Sequence, residues 1–252
     1  MSTTVMTEYL DKIVAHLRLL HDEDADAIRA AARLVAKQIK QDKIVYAFGP
    51  GGHSNIGAME LFFRAGGLMH ISAMLDEGTL LSGGALRSMA IERTPGYGKI
   101  VIEDYGLGAG DLLILINAYG INSAVIDAAL EARRRGVTII GVTSVRHAAA
   151  TAPDHPARHP SKQNLSDLVD VVLDSKIEVG DVVIRIEGQE QRVGPLSTFA
   201  TSYLLNAMVA EAVALLAEEG VQPPIWQSGN SPGGDEANAR FIARFKGRIK
   251  KL

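Results

Sequence analysis

Val45-Tyr46-Ala47-Phe48-Gly49-Pro50-Gly51-Gly52-His53-Ser54 is an apolar run that stops at a glycine-rich loop and then opens a helix-like segment. Leu112-Leu113-Ile114-Leu115-Ile116-Asn117-Ala118-Tyr119-Gly120-Ile121-Asn122-Ser123 repeats the plan. In α/β proteins this plan builds anion pockets. A buried parallel strand delivers the chain, glycine lets the backbone approach, and unpaired N–H groups at the helix start face the ligand. Two such loops in one small domain point to one ligand held from two sides.

Outward from these loops the same alternation continues. Lys43 to Phe48 reads as the first strand and Ser54 to Ala65 as its helix, closed by Gly66-Gly67. Leu68 to Ser72 is a short second strand. Asp76 to Arg93 reads as helical with an interruption at Gly83-Gly84, and Thr94-Pro95-Gly96 breaks the chain. Asp111 to Ile116 is the third strand, Ser123 to Arg135 a helix closed by Gly136, Val137 to Thr143 the fourth strand, and Val169 to Leu173 the fifth. Five short apolar strands joined by helices predict a doubly wound, five-stranded parallel sheet. The ligand is expected at the carboxyl ends of the first and third strands.

The flanks differ from this core. Residues Thr7 to His21 have helical apolar spacing, and a second helix is expected after Asp22 or Asp24 as cap. Val182 to Ile186 with Gln191 to Val193 reads as an added hairpin. A long helix then starts at Gly194-Pro195 and runs to about Ala217, with Glu211 the only ionisable acid or base between Arg192 and Glu218. A helix apolar on nearly all sides is buried on most of them, which points to a partner subunit. The division is a helical extension over 1–42, the main domain over 43–220 and a C-terminal arm over 221–252.

Composition narrows the function. The net charge is −3 without a basic stripe, so nucleic acid is not an expected partner. There is no cysteine, which excludes disulfides and thiol catalysis. No uninterrupted apolar run approaches the roughly 20 residues of a membrane span, and the first residues lack a signal-peptide pattern. A soluble cytoplasmic protein is expected. A dinucleotide is a poor fit: the glycines do not give the full fingerprint, and the second strand ends at Ile71-Ser72 without a ribose-binding acid.

These residues resemble the sugar isomerase (SIS) domain family. Gly49-Pro50-Gly51-Gly52-His53-Ser54 followed by Ala58-Met59-Glu60-Leu61 is similar to that family's glycine–serine loop and the Glu-Leu of its next helix. The loop around Gly120 stands where the family carries a serine-rich loop. More closely, the chain resembles SIS proteins described as phosphosugar isomerases of unassigned substrate. The matching stretches are Arg64-Ala65-Gly66-Gly67-Leu68, Arg158-His159-Pro160-Ser161-Lys162, Val193-Gly194-Pro195-Leu196-Ser197-Thr198, Gly220-Val221-Gln222-Pro223-Pro224 and Gly233-Gly234-Asp235-Glu236-Ala237-Asn238. The resemblance implies a flavodoxin-like fold, a homodimer or larger assembly, and a phosphorylated or otherwise anionic sugar as ligand. No cofactor or metal is expected. The second loop departs from the family: Asn117, Tyr119 and Asn122 replace its serines and threonine, which opens the site to a sulfonate, a carboxylate or an uncharged sugar end. The last long helix has Asn206 and Glu211 where phosphoheptose isomerases carry a histidine motif, which argues against that reaction.

The candidate chemistry follows. An aldose–ketose isomerase needs a base beside C1 and C2, often a carboxylate. Glu60 is the first candidate, seven residues after His53 and able to share its helix face. His53 would orient a hydroxyl or move protons; the plainer reading is a surface residue, and the plainer reading of Ser54 is a helix cap. Asp235 and Glu236 follow a glycine-rich loop and read either as a lid bringing carboxylates to the pocket or as a helix cap. Gly51, Gly52, Ser54, Asn117, Tyr119, Gly120, Asn122 and Ser123 would hold the ligand from the two loops. Ser161 and Lys162, and Ser197 and Thr198 at the start of the last long helix, would complete the pocket. His147, His155 and His159 crowd one stretch without a strong metal-ligand spacing. The alternatives to an isomerase are a sugar-binding sensor and an acid–base lyase or etherase on the same sugar class.

Overall fold

The structure, a computed structural model, describes residues 4–252. Five parallel strands form the sheet: β1 (Val45–Phe48), β2 (Ile71–Ala73), β3 (Leu112–Ile116), β4 (Thr138–Thr143) and β5 (Val171–Asp174). Their order is β2-β1-β3-β4-β5, so the connection direction reverses between β1 and β3. Alternate residues feed opposite layers. Val45, Ala47, Leu112, Ile114 and Ile116 face a core shared with α1 (Val5–Lys40), α2 (Ser54–Leu61) and α7 (Ser197–Glu218). Phe48, Leu113, Leu115 and Ile139 face α4 (Tyr97–Tyr105) and α5 (Ser123–Arg134). The remaining helices are α3 (Ala85–Glu92), α6 (Val145–Ala150) and α8 (Gly234–Phe245). A separate antiparallel hairpin pairs β6 (Val182–Ile184) with β7 (Val193–Pro195).

The doubly wound parallel sheet is as expected, with differences at four places. The last long helix starts at Ser197 rather than at Gly194-Pro195, because Val193–Pro195 pairs with Val182–Ile184 as the hairpin. The two expected N-terminal helices are one continuous helix, α1. No glycine or proline interrupts it, and Asp24, read as a cap, lies buried within it with Lys176 Nζ 3.2 Å from its carboxylate. Helix α2 stops at Leu61, four residues early. Phe62 is extended and Phe63 left-handed (φ 48°), because Gly66 and Gly67 exchange hydrogen bonds with Trp226 and Leu68 bridges to Ile225. The stretch read as one interrupted helix over Asp76–Arg93 is a turn, a short 3₁₀ segment (Leu81–Gly83) and α3.

Helix α7 is long and apolar enough, by length and composition alone, to cross a membrane. Ala200, Leu204, Leu205, Met208, Ala212 and Leu216 put one of its faces into the sheet core.

The C-terminal arm closes the amino end of the sheet. Trp226, Phe245 and Ile249 pack with Ile44 and Met69. Arg244 and Arg248 both reach the Asp42 carboxylate, which also lies 3.2 Å from His70 Nε2. His70 is 1% exposed and sits edge-on to Phe245. Burial pushes its pKa down to about 4, against an ordinary 6.5. The unfolded chain therefore binds a proton near pH 6.5 that the folded chain refuses until about pH 4. Stability from this group is full above 6.5 and is lost as pH falls through that window, at about 1.4 kcal/mol per unit. Urea unfolding between pH 7 and 5 should show this slope, and His70→Phe should flatten it.

Candidate functional site

The carboxyl ends of β1 and β3 open into a cavity of about 380 Å³. Its floor is the first loop and the start of α2, with Gly52, His53, Ser54, Ile56 and Gly57 in the wall. Helix α2 begins at Ser54, so the positive end of its dipole lies at this wall, although Asn55 N already donates to Gly51 O at 3.1 Å and Ile56 N to His53 O at 3.0 Å. Asn55 is fully buried behind the wall. Its side-chain amide donates to Gly51 O and to Thr79 O, both at 2.9 Å, tying the loop to the next turn.

The opposite wall is α3 with Ala85, Ser88, Met89 and Glu92. Glu92 was not singled out in the sequence. Its carboxylate packs on Gly51, where a β-carbon would stand 2.7 Å from Oε1, and accepts from Asn117 Nδ2 at 3.2 Å. Burial raises its pKa above the usual carboxylate range, opposed by the Asn117 hydrogen bond and by Arg93. One sequence signal did point to it: an acid as the last residue of a helix opposes the macrodipole, so another interaction must hold it there.

Asn117 joins the two loops. Besides Glu92 it reaches Pro50 O at 3.4 Å, and its Oδ1 accepts from the N–H groups of Tyr119 at 3.2 Å and Gly120 at 2.8 Å. The second loop was expected to offer these backbone N–H groups to an anion. Instead the Asn117 side chain takes two of them, and only Asn117, Ala118 and Tyr119 of that loop line the cavity. Gly120, Asn122 and Ser123 are buried outside the wall. Asn122 donates to Ala157 O at 3.3 Å, and Gly120 O accepts from Leu165 N. The Tyr119 ring stacks on His147 with centroids 3.9 Å apart.

The third wall comes from the added hairpin and α7: Asp181, Pro195, Ser197, Thr198, Thr201 and Ser202. Asp181, also missed in the sequence, adopts a left-handed backbone (φ 58°). Its Oδ1 accepts from Leu196 N at 2.9 Å and Ser197 N at 2.8 Å, and its Oδ2 from Ser197 Oγ. The positive end of α7 is thus met by the chain's own carboxylate.

Other candidates lie elsewhere. Glu60 does not line the cavity; its carboxylate pairs with Arg64 and accepts from Asn206 Nδ2 at 2.8 Å. Asp235 and Glu236 are exposed on the first turn of α8, and Asp235 borders a second depression with Phe63, Arg64 and Trp226. Ser161 and Lys162 are exposed on a loop outside the cavity, and Ser161 Oγ lies 2.8 Å from His159 Nδ1. The three histidines are apart in role: His147 stacks on Tyr119, His155 accepts from Ala157 N, and His159 pairs with Asp127.

A cavity at the switch point of a doubly wound sheet, rich in hydroxyls and bearing two carboxylates, defines a small-molecule-binding α/β protein. The SIS domain model matches residues 8–144, and the chain belongs to the SIS domain family, within the UPF0309 proteins. The UPF0309 protein of Geobacillus thermodenitrificans is 36% identical over 248 residues, 98% of each chain. The UPF0309 protein SCO4393 of Streptomyces coelicolor is 38% identical over 245 residues, 96% of this chain and 95% of its own. Among solved structures, phosphoheptose isomerase GmhA from Neisseria gonorrhoeae superposes with a TM-score of 0.54 at 16% identity, over 84% of this chain and 97% of that one. A phosphoheptose isomerase from Francisella tularensis gives 0.52 at 13% identity, over 85% and 99%. At these identities the likeness is one of fold.

Proposed function

We propose that the cavity binds a phosphorylated or otherwise anionic sugar and that the protein is an aldose–ketose isomerase working by proton transfer through an enediolate. The observation that carries this reading is the Glu92 carboxylate. It is half-buried, raised in pKa, and held between the two loops where a sugar would lie. A carboxylate in that state is a competent base near neutral pH. The sugar's anion belongs at the first loop, against Gly52, Ser54 and the start of α2, with His53 at the mouth; Gly51, expected to touch it, lies outside the wall under the Glu92 carboxylate. Thr198 and Ser202 offer hydroxyls to the sugar, while the Ser197 hydroxyl is held by Asp181. The phosphoheptose isomerases and the SIS family membership support the substrate class. The test is incubation with aldose and ketose 6-phosphates in D₂O: deuterium should appear at C2 of the recovered aldose. A sugar bound without exchange would favour the sensor reading, which the closed second loop supports, since Asn117 removes donors that an anion would use.

The same reading includes self-association. Met6, Leu10 and Val14, four residues apart on α1, are 80%, 58% and 39% exposed, and Phe199 on α7 is 42% exposed. An apolar stripe of this kind, on the helix whose Tyr9 packs edge-on against Phe199, fits a second copy of the chain. Met59 and Phe63 are exposed on either side of Glu60, so a partner docked there would keep Glu60 as the second candidate base. Sedimentation velocity should give a dimer or larger species for the wild type and a smaller one for Leu10→Asp. A monomeric wild type would remove the self-association.

A further inference from the structure

Two carboxylates, Glu92 and Asp181, stand in the cavity wall, and no lysine or arginine among the described residues lines it. Negative charge developing on a sugar oxygen there must be met by neutral donors aimed in advance. Several are already committed. Ser88 Oγ donates to Thr79 O at 2.7 Å, Ser197 Oγ to Asp181, and the Asn117 amide to Glu92 and Pro50. The Tyr119 hydroxyl makes no hydrogen bond among the described residues.

Tyr119 is also fixed from two sides. Its backbone N–H is held by Asn117 Oδ1 at 3.2 Å. Its ring lies on the imidazole of His147, with 21° between the planes. His147 is 8% exposed and is itself anchored: its backbone N–H donates to Ser144 Oγ at 3.1 Å, and its ring Nδ1 lies 3.3 Å from Thr151 Oγ1. Burial lowers the His147 pKa, so the ring under Tyr119 is neutral at neutral pH. Burial, then Asp181 and Glu92, raise the Tyr119 pKa, so the phenol keeps its proton.

We propose that Tyr119 is the catalytic hydrogen-bond donor to the sugar oxygen that gains charge as the enediolate forms, and that His147 is the positioning residue that fixes its ring. The inference rests on the isomerase reading above. In the aldose direction the C2 proton passes to the Glu92 carboxylate. The C2–H electron pair forms the C1=C2 bond, and the carbonyl pair moves onto O1, which accepts the Tyr119 hydrogen bond. Return of the proton to C1, with transfer of the O2 proton to O1, completes the ketose. Nothing is oxidised from outside, and no co-reactant is consumed.

Tyr119→Phe keeps the ring and its stack and removes only the hydroxyl. Deuterium uptake at C2 of glucose 6-phosphate and the other aldose 6-phosphates in D₂O is expected to slow about 10²-fold, with KM changed less than about threefold. His147→Ala should slow it about tenfold by freeing the ring, and His147→Phe, which restores a stacking surface, should recover most of that loss. A Tyr119→Phe rate within about threefold of wild type overturns the donor role. His147→Phe no faster than His147→Ala, with both folded by circular dichroism, overturns the positioning role. A wild type that exchanges no sugar on the panel fails the isomerase reading itself, and this inference falls with it. Exchange by wild type and Tyr119→Phe alike fails only the inference.

Discussion

Glu92→Gln is expected to lower turnover by about 10³-fold while leaving sugar binding intact. The substitution is nearly isosteric. The Gln carbonyl oxygen can still accept from Asn117 Nδ2, so the bridge between the loops survives. What is lost is the capacity to take a proton. The raised pKa adds a second signature: below it the wild-type carboxyl is protonated and idle as a base, so the rate should climb with pH through a value above the ordinary Glu range. Glu60→Gln is the paired control. In a single protomer Glu60 answers to Arg64 and Asn206 rather than to the cavity. If Glu60→Gln removes turnover and Glu92→Gln spares it, the base is Glu60 and the site must be completed by a second copy. Rates of C2 deuterium uptake for both variants, beside thermal shifts with the same sugar phosphates, separate these cases.

Gly49→Ala is expected to cost about 3 kcal/mol or more of stability. A β-carbon at Gly49 would fall on the carbonyl oxygen of Ser54, which is backbone at the start of α2 and cannot swing aside. Either β1 or the first turn of α2 must move, and both carry cavity wall. Gly51→Ala makes an instructive contrast. Its φ of 139° already disfavours a side chain, but the atoms met are the end of Glu92, which can rotate away. That variant should lose less stability and more activity, because the displaced group is the proposed base. Urea unfolding gives the first quantity and deuterium exchange the second.

Much of the fold was legible because buried parallel strands write themselves as short apolar runs. Leu112–Ile116 is buried at every position, and its end at Asn117 and the helix start at Ser123 were readable from residue type. The first loop was readable for the same reason: glycines at the end of a strand leave few other uses. Helix α1 was misread because Asp24 has a good capping side chain, and only the distant Lys176 gives it a reason to stay inside a helix. The early end of α2 depended on Trp226, more than 150 residues away, pairing with Gly66 and Gly67.

For the site, residue types and local spacing determined the sheet, the first loop and the family. They could not show that Asn117 turns back on its own loop, that Glu92 folds against Gly51, that Asp181 reaches the start of α7, or that His147 lies under Tyr119. Those four relations join segments separate in the chain and are selected by burial: each polar group removed from water took the nearest partner that the packed layers offered. Strand and helix periods are local properties and survive in the sequence. Which carboxylate faces the ligand is a property of the assembled cavity, and only the tertiary structure decided it.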